Sequence, residues 1–160
     1  MNKEMKLLAE KVLKRETNKF LIEIECFMES GDVGRILAGE FNNGQEKWKG
    51  KKQPKGPGRT QFKMLMDAAG EAACIEELLL FLSYQKSKKH GWETECTDGE
   101  DIAKKLADSF MKVQTDIYKI MEHELLAEKI EEDDERLLRL MIAEKYLGYL
   151  YWKASAVSRY

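Results

Sequence analysis

The sequence predicts an all-α protein, an antiparallel helical bundle of four long helices with one or two short ones. Apolar residues recur at steps of three and four along most of the 160-residue chain, which is the spacing that places them on one face of a helix. No segment alternates polar and apolar residues as a half-buried strand does. Both prolines, Pro54 and Pro57, fall in one short stretch, so the rest of the chain lacks the residue that most damages helices.

The first two long helices flank a loop rich in glycine and proline. The first is predicted from about Lys3 to Glu29, and a short helical or irregular piece follows it. The loop covers about residues 42–59. The second helix runs from Thr60 to about Lys88 and carries apolar residues on more than one stripe, which is typical of a helix at the centre of a bundle.

The third and fourth helices are separated by an acidic run. The third begins at Asp98 or Gly99, and its apolar stripe is the clearest in the sequence. Residues 131–135 are all acidic, and anions are favoured at a helix N-terminus. The fourth helix is therefore expected to follow them and to reach Val157.

Length and composition favour one domain over residues 1–160. A chain of this length with 43% hydrophobic residues can bury a sizeable core. No apolar run approaches the roughly eighteen residues of a membrane span, and the charged N-terminus lacks the apolar region of a secretory signal. These features predict a cytoplasmic protein.

Positive charge is concentrated around the glycine- and proline-rich loop. The formal net charge is -2, yet seven positive and no negative residues lie between Glu46 and Asp67. Such a stretch fits contact with a polyanion, although a solubilising linker would have the same composition. The residues are Lys47, Lys49, Lys51, Lys52, Lys55, Arg59 and Lys63.

A second basic cluster, Lys86, Lys88, Lys89 and His90, ends the second helix. Favourable interaction of cations with the helix C-terminus would by itself account for it. A continuous helix from Thr60 to Lys88 would be about 42 Å long. The loop and this cluster are therefore expected to contact successive points on an extended RNA strand and not the same phosphate.

The sequence offers little for catalysis or metal binding. It contains no glycine-rich phosphate-binding motif and no nucleophile elbow. Cys26, Cys74 and Cys96 lack zinc-ligand spacing, and the first two are expected to be buried thiols. No metal, cofactor or catalytic residue is predicted.

One acidic set leaves an enzyme open as an alternative. Glu128, Glu131 and Asp134 have the spacing by which a helix presents carboxylates to magnesium, as in helical nucleotide pyrophosphohydrolases. Such a site also needs a facing acidic pair. Because Glu71 and Glu76 lie five residues apart and so diverge on a helix, a solvated acidic junction is the better interpretation.

Aromatic residues accompany several of the basic ones, and aromatic faces can stack unpaired bases. Trp48 lies within the basic loop, and Tyr84 precedes Lys86. Tyr151 and Trp152 lie near lysines of the last helix. Because aromatic residues on a last helix more often pack, we assign these two to the core or to an interface.

Three segments resemble the small subunit of type III CRISPR interference complexes (Csm/Cmr type). Residues 60–65, Thr-Gln-Phe-Lys-Met-Leu, are similar to the Thr/Ser-Gln-Leu-Arg start of a helix in that family. Residues 81–88, Phe-Leu-Ser-Tyr-Gln-Lys-Ser-Lys, are similar to its Tyr-Gln-x-x-Arg end. Residues 139–153 resemble the family's aromatic-rich C-terminal helix. Lys63 and Lys88 stand where the pattern has Arg, which keeps the charge but weakens bidentate phosphate contact.

The resemblance implies a non-catalytic, RNA-binding structural subunit of an antiviral ribonucleoprotein. Its partners would be guide RNA and target RNA, other subunits of the effector complex and copies of itself. Lys63, Lys88 and neighbouring basic residues would line the nucleic-acid path. The alternatives are a helical protein-interaction module and, with less support, the magnesium-dependent pyrophosphohydrolase.

Overall fold

The computed structural model describes residues 1–40, 55–125 and 130–160, and it confirms the all-α fold class. Over these ranges the one strand-like feature is an isolated antiparallel bridge between Glu95 and Asp101. None of the helices in these ranges is both long enough and apolar enough to cross a membrane. The helices are α1 (Lys3–Arg15), α2 (Thr17–Glu29), α3 (Val33–Leu37), α4 (Arg59–Glu71), α5 (Ile75–Ser87), α6 (Ile102–Glu124) and α7 (Glu132–Val157), with a 3₁₀ turn at Ser30–Asp32.

The two longest helices, α6 and α7, form an antiparallel pair. Their shared interface is largely apolar, and it also holds a buried hydrogen bond of 2.7 Å between the hydroxyls of Ser109 and Tyr146. Further along, the Gln114 side-chain amide donates to the Arg139 carbonyl (2.8 Å). The helix α6 begins later than predicted because Asp101 is its N-cap and accepts from the Lys104 N–H (2.8 Å).

The predicted first helix is divided at Glu16 into α1 and α2. The Thr17 hydroxyl donates to the carbonyls of Leu13 and Lys14, a back-bonding that bends helices. The helix α2 runs along α6 in the opposite direction, since Glu23 pairs with Lys112 and Ser30 accepts from Lys105. The ion pair between Arg15 and Glu124 fixes one end of this contact, because Glu124 is the last residue of α6.

The predicted second helix is likewise not continuous, and this break decides the architecture of the site. Backbone torsions are extended at Ala72 (ψ 145°) and Cys74 (φ -161°), so α4 ends and α5 starts anew. The break explains the two apolar stripes. At about 100° per residue, the buried stripe of α5 would lie roughly opposite that of α4 if the helix continued. Each stripe instead faces the core on its own helix, with Phe62, Leu65 and Ala69 buried from α4 and Ile75, Leu78 and Leu82 from α5.

Contacts on both sides of Ala73 stabilise the break. The Glu77 carboxylate accepts from the Ala73 N–H (2.7 Å), and the Arg136 guanidinium donates to the Ala73 carbonyl (2.8 Å). The carboxylates of Glu76 and Glu77 also lie in the first turn of α5, where anions are favoured. Together, α4 and α5 form a helical hairpin, and the residues before α4 meet those after α5 at one end of the bundle.

Candidate nucleic-acid interface

The hairpin brings the segment before α4 against the connection after α5. The Thr94 hydroxyl donates to the Lys55 carbonyl (2.6 Å), and the Trp92 indole N–H donates to the Gln61 side-chain oxygen (3.1 Å). Trp92 is fully buried, and its ring meets the ring of Phe62 edge-on at 5.0 Å between centroids. These contacts fix the two segments relative to each other.

Gly91 allows the two backbones to touch. Its φ is +107°, and a Cβ at this position would lie 2.4 Å from the Gly56 carbonyl carbon and 2.4 Å from the Pro57 nitrogen. Because backbone atoms cannot turn aside as a flexible side chain does, any residue larger than glycine would push the segments apart. Both the torsion and the space at residue 91 therefore require glycine.

An open cleft of about 410 Å³ lies between the two segments. In the described ranges, three cationic side chains line it: Lys55 and Arg59 from one side and Lys89 from the other, with His90 next to Lys89. Lys55, Arg59, Lys89 and His90 are all exposed to solvent. The remaining lining comes from Gly56, Gly58, Thr60, Gln61, Gly91, Glu93 and Tyr160.

The start of α4 adds to the positive field of the cleft. Its N-cap, Gly58, has no side chain that could accept from the first turn, and helix N-termini carry partial positive charge. Among the described residues, Glu93 is the one carboxylate side chain that lines the cleft, and it accepts from the Gly91 N–H (3.0 Å). The main-chain carboxyl carbon of Tyr160 lies beside Gly58, 3.3 Å from where a Cβ would be. The cations thus outnumber the carboxylate side chain, and the cleft is suited to hold an anionic group such as phosphate.

Two cleft residues also make contacts within the protein. The Arg59 guanidinium donates to the Ser158 carbonyl (3.1 Å). The Lys55 ammonium lies 4.8 Å from the centroid of the Tyr160 ring. Both contacts orient these cations and keep them at the surface, where a charged ligand could reach them.

The predicted basic residues fall into three groups. Lys55, Arg59 and Lys89 line one cleft, so the separation of about 42 Å predicted between the loop and the second cluster is wrong for these residues, while their contact with phosphates stays a prediction. Lys63 and Lys88 are exposed outside the cleft lining. Lys47, Lys49, Lys51 and Lys52 lie outside the described residues.

Lys86 and Lys88 have partners of their own at the end of α5. The Lys86 ammonium forms an ion pair with the N-cap carboxylate of α6, Asp101, at 2.7 Å. Lys86 therefore connects the two helices and has less charge to offer a ligand. The Lys88 ammonium lies 4.9 Å from the centroid of the half-exposed Tyr84 ring, which combines a cation with an aromatic face at the surface.

Sequence reasoning missed Gly91 and Tyr160 as parts of this site. The close approach at Gly91 could have been predicted, because Gly91 directly follows the basic cluster and glycine is the usual residue where backbones approach closely. Glycines on the opposite side, Gly56 and Gly58, supply the matching signal. Tyr160 gave no signal, because its place beside Lys55 depends on how α7 ends.

The acidic alternative gains no support from the described part of the chain. There, no group of three or more His, Cys, Asp or Glu residues could hold a metal ion. Asp134 lies 3.3 Å from the N-terminal ammonium, and Glu131 is the N-cap of α7. Glu128 is outside the described residues.

Contrary to expectation, Cys26 is exposed and Cys74 is half-buried.

Tyr151 and Trp152 are less buried than a core assignment requires. Trp152 is 69% exposed, so that assignment is wrong for it, while its place in an interface stays a prediction. Tyr151 is half-buried. Trp48 lies outside the described residues.

No protein-family model, no curated protein and no solved structure matches the chain.

Proposed function

We propose that the protein is a non-catalytic, RNA-binding structural subunit of a cytoplasmic ribonucleoprotein, and that it contacts the phosphate backbone without reading sequence. The observation that supports this most is the cleft in which Lys55, Arg59 and Lys89 converge on the N-terminus of α4. Lysine and arginine side chains and helix N-termini are the groups that commonly bind phosphate oxygens.

Backbone contact fits the chemistry of the cleft better than base recognition. Its cations are exposed, and their attraction acts on the phosphates of any sequence. Lys47, Lys49, Lys51 and Lys52 precede Lys55 in the sequence and lie outside the described residues. Tyr84 is 53% exposed beside Lys88 and could stack an unpaired base without selecting it.

The type III CRISPR small subunit is the specific ribonucleoprotein role that the sequence resemblance favours. In that role the cleft would contact guide RNA or target RNA, and other faces would contact neighbouring subunits and copies of the same chain. Several large apolar side chains are available for such contacts, and the three most exposed among the described residues are Ile22 (64%), Leu80 (70%) and Trp152 (69%). The same exposure favours the second candidate, a helical protein-interaction module without RNA.

The two candidates differ in their response to salt. We expect the double variant Lys55→Gln/Lys89→Gln to bind unrelated single-stranded RNAs more weakly and about equally. Its log-log salt dependence should be shallower than that of the wild type by at least about 0.7, the value for one lost phosphate contact. Fluorescence anisotropy across a salt series measures both quantities.

A matched control removes the same charge elsewhere. Lys14 and Lys119 are exposed on α1 and on the second half of α6, and Lys14→Gln/Lys119→Gln should keep the wild-type salt slope. Equal slopes for the two double variants would contradict RNA binding by the cleft. If the purified protein associates with itself or with protein partners and shows no RNA affinity, the interaction module is the better description.

A further inference from the structure

The cleft contains a constraint that the RNA-binding role does not by itself require. Its two cationic sides come from segments more than thirty residues apart in the chain, yet their backbones are in direct contact at Gly91. On the basis of the proposed function, we infer that Gly91 is a positioning residue which holds Lys55 and Lys89 on one and the same RNA phosphate.

The argument starts from the close packing at Gly91. The atoms that a Cβ would meet are the Gly56 carbonyl carbon and the Pro57 nitrogen, both at 2.4 Å, so the collision is with backbone. Lys55 is the residue next to Gly56, and Lys89 is two residues before Gly91. A displacement of either backbone would therefore change the separation of the two ammonium groups directly.

A second contact fixes the same separation. The Thr94 hydroxyl donates to the carbonyl of Lys55 itself at 2.6 Å. Because this bond holds the Lys55–Gly56 peptide and the glycine contact is with the next peptide, Gly56–Pro57, the Lys55 backbone has little freedom to move away from the connection. The two lysines line the single open cleft of about 410 Å³ that results, so both can reach an anion held there.

Sharing of one phosphate makes a specific prediction for the salt slope. Each neutralised phosphate of a single strand contributes about 0.7 to the slope. Removal of Lys55 or of Lys89 alone should leave the slope near the wild-type value, because the other lysine still neutralises the phosphate. Because the Arg59 guanidinium is held by the Ser158 carbonyl, we expect it not to replace the two lysines on this phosphate. The double variant should therefore lower the slope by about 0.7, whereas two separate phosphates would lower it by about 1.4.

Gly91→Ala tests the positioning role without any change of charge. We expect it to weaken RNA binding by about tenfold, the factor for roughly one charge-assisted hydrogen bond lost, while circular dichroism remains helical. Gly99→Ala is the matched control. Gly99 has a similarly positive φ of +92°, but its Cβ would meet nothing closer than 3.9 Å. It shares the torsional strain and lacks the collision.

The outcomes separate this inference from the proposed function. The inference is supported if the salt slope of the double variant falls by about 0.7, Gly91→Ala binds RNA weakly and Gly99→Ala binds it nearly normally. A fall in the salt slope of about 1.4, or equal RNA affinities for the two alanine variants, overturns the inference and leaves the proposed RNA binding intact. A wild-type slope in the double variant overturns both.

If Gly91→Ala does not fold, Thr94→Val tests the same inference. It removes the hydrogen bond to the Lys55 carbonyl with little change of volume. We expect weaker RNA binding with normal helical content. Unchanged affinity in a folded Thr94→Val protein would overturn the inference.

Discussion

Trp92 should be the single side chain whose loss most disturbs the end of the bundle that carries the cleft. Trp92 is fully buried, and the centroid of its ring lies 5.0 Å from that of Phe62 in an edge-on contact. Its N–H is satisfied by Gln61 at 3.1 Å. Truncation to alanine would therefore leave a cavity and an unpaired amide oxygen together.

The size of the effect follows from these contacts. Trp92→Ala should lower the free energy of unfolding by about 3–5 kcal/mol, the range for a buried large aromatic residue. Trp92→Phe keeps most of the apolar contact but loses the hydrogen bond to Gln61, so its cost should be about 1–2 kcal/mol. At roughly 2–4 °C per kcal/mol for a chain of this size, the alanine variant should melt about 10 °C lower than the wild type.

Urea denaturation followed by circular dichroism measures these differences. Trp152→Ala is the matched control, because the same side chain is removed from a position that is 69% exposed. It should change the free energy of unfolding by less than about 0.5 kcal/mol. If the two alanine variants were equally stable, the connection after α5 would not be packed as described.

Two further predictions concern other parts of the core and one ion pair. The 2.7 Å hydrogen bond between Ser109 and Tyr146 is buried, so Tyr146→Phe should cost about 1–2 kcal/mol in urea titrations. The double variant Ser109→Ala/Tyr146→Phe should cost less than the sum of the two single ones. A strictly additive result would contradict the coupling. A hydrogen bond from the Lys105 ammonium lowers the pKa of the Asp98 carboxyl. Its contribution to stability is therefore present above the unfolded-state pKa of about 3.9 and is lost as pH falls through the lower folded-state pKa. The difference in stability between the wild type and Asp98→Asn should shrink in acid titrations below about pH 4, and a difference that grows there would refute this account.

The predictable parts of the fold are those that local pattern decides. The stripe of α6 follows from apolar residues at helical spacing, and all-α character follows from the same pattern along the chain. The break between α4 and α5 could not be predicted in this way, because alanine and glutamate around Ala73 favour a helix. Arg136, which stabilises the break, lies 63 residues away in the sequence. The one local sign of the break is that the apolar stripe moves to the other side of the helix after Ala73.

The site was predictable in its residues but not in its geometry. The basic composition identified Lys55, Arg59 and Lys89, since charge can be counted along a sequence. Their convergence depends on the hairpin and on the contact of Gly91 with Gly56, and both are long-range features. The ion pair of Lys86 with Asp101 is likewise a long-range feature that the sequence did not predict, and the RNA contact of Lys86 stays a prediction.

The meeting of the two basic segments can be tested by one distance measurement. Spin labels at the exposed positions Thr60 and Lys88, introduced as cysteines with the native cysteines replaced, would be measured by pulsed electron paramagnetic resonance. A continuous helix would separate these backbone positions by about 42 Å. The hairpin places Thr60 and Lys89 on the same cleft, so the distance should be less than half of that value. A distance near 42 Å would contradict the cleft and the RNA-binding proposal that depends on it.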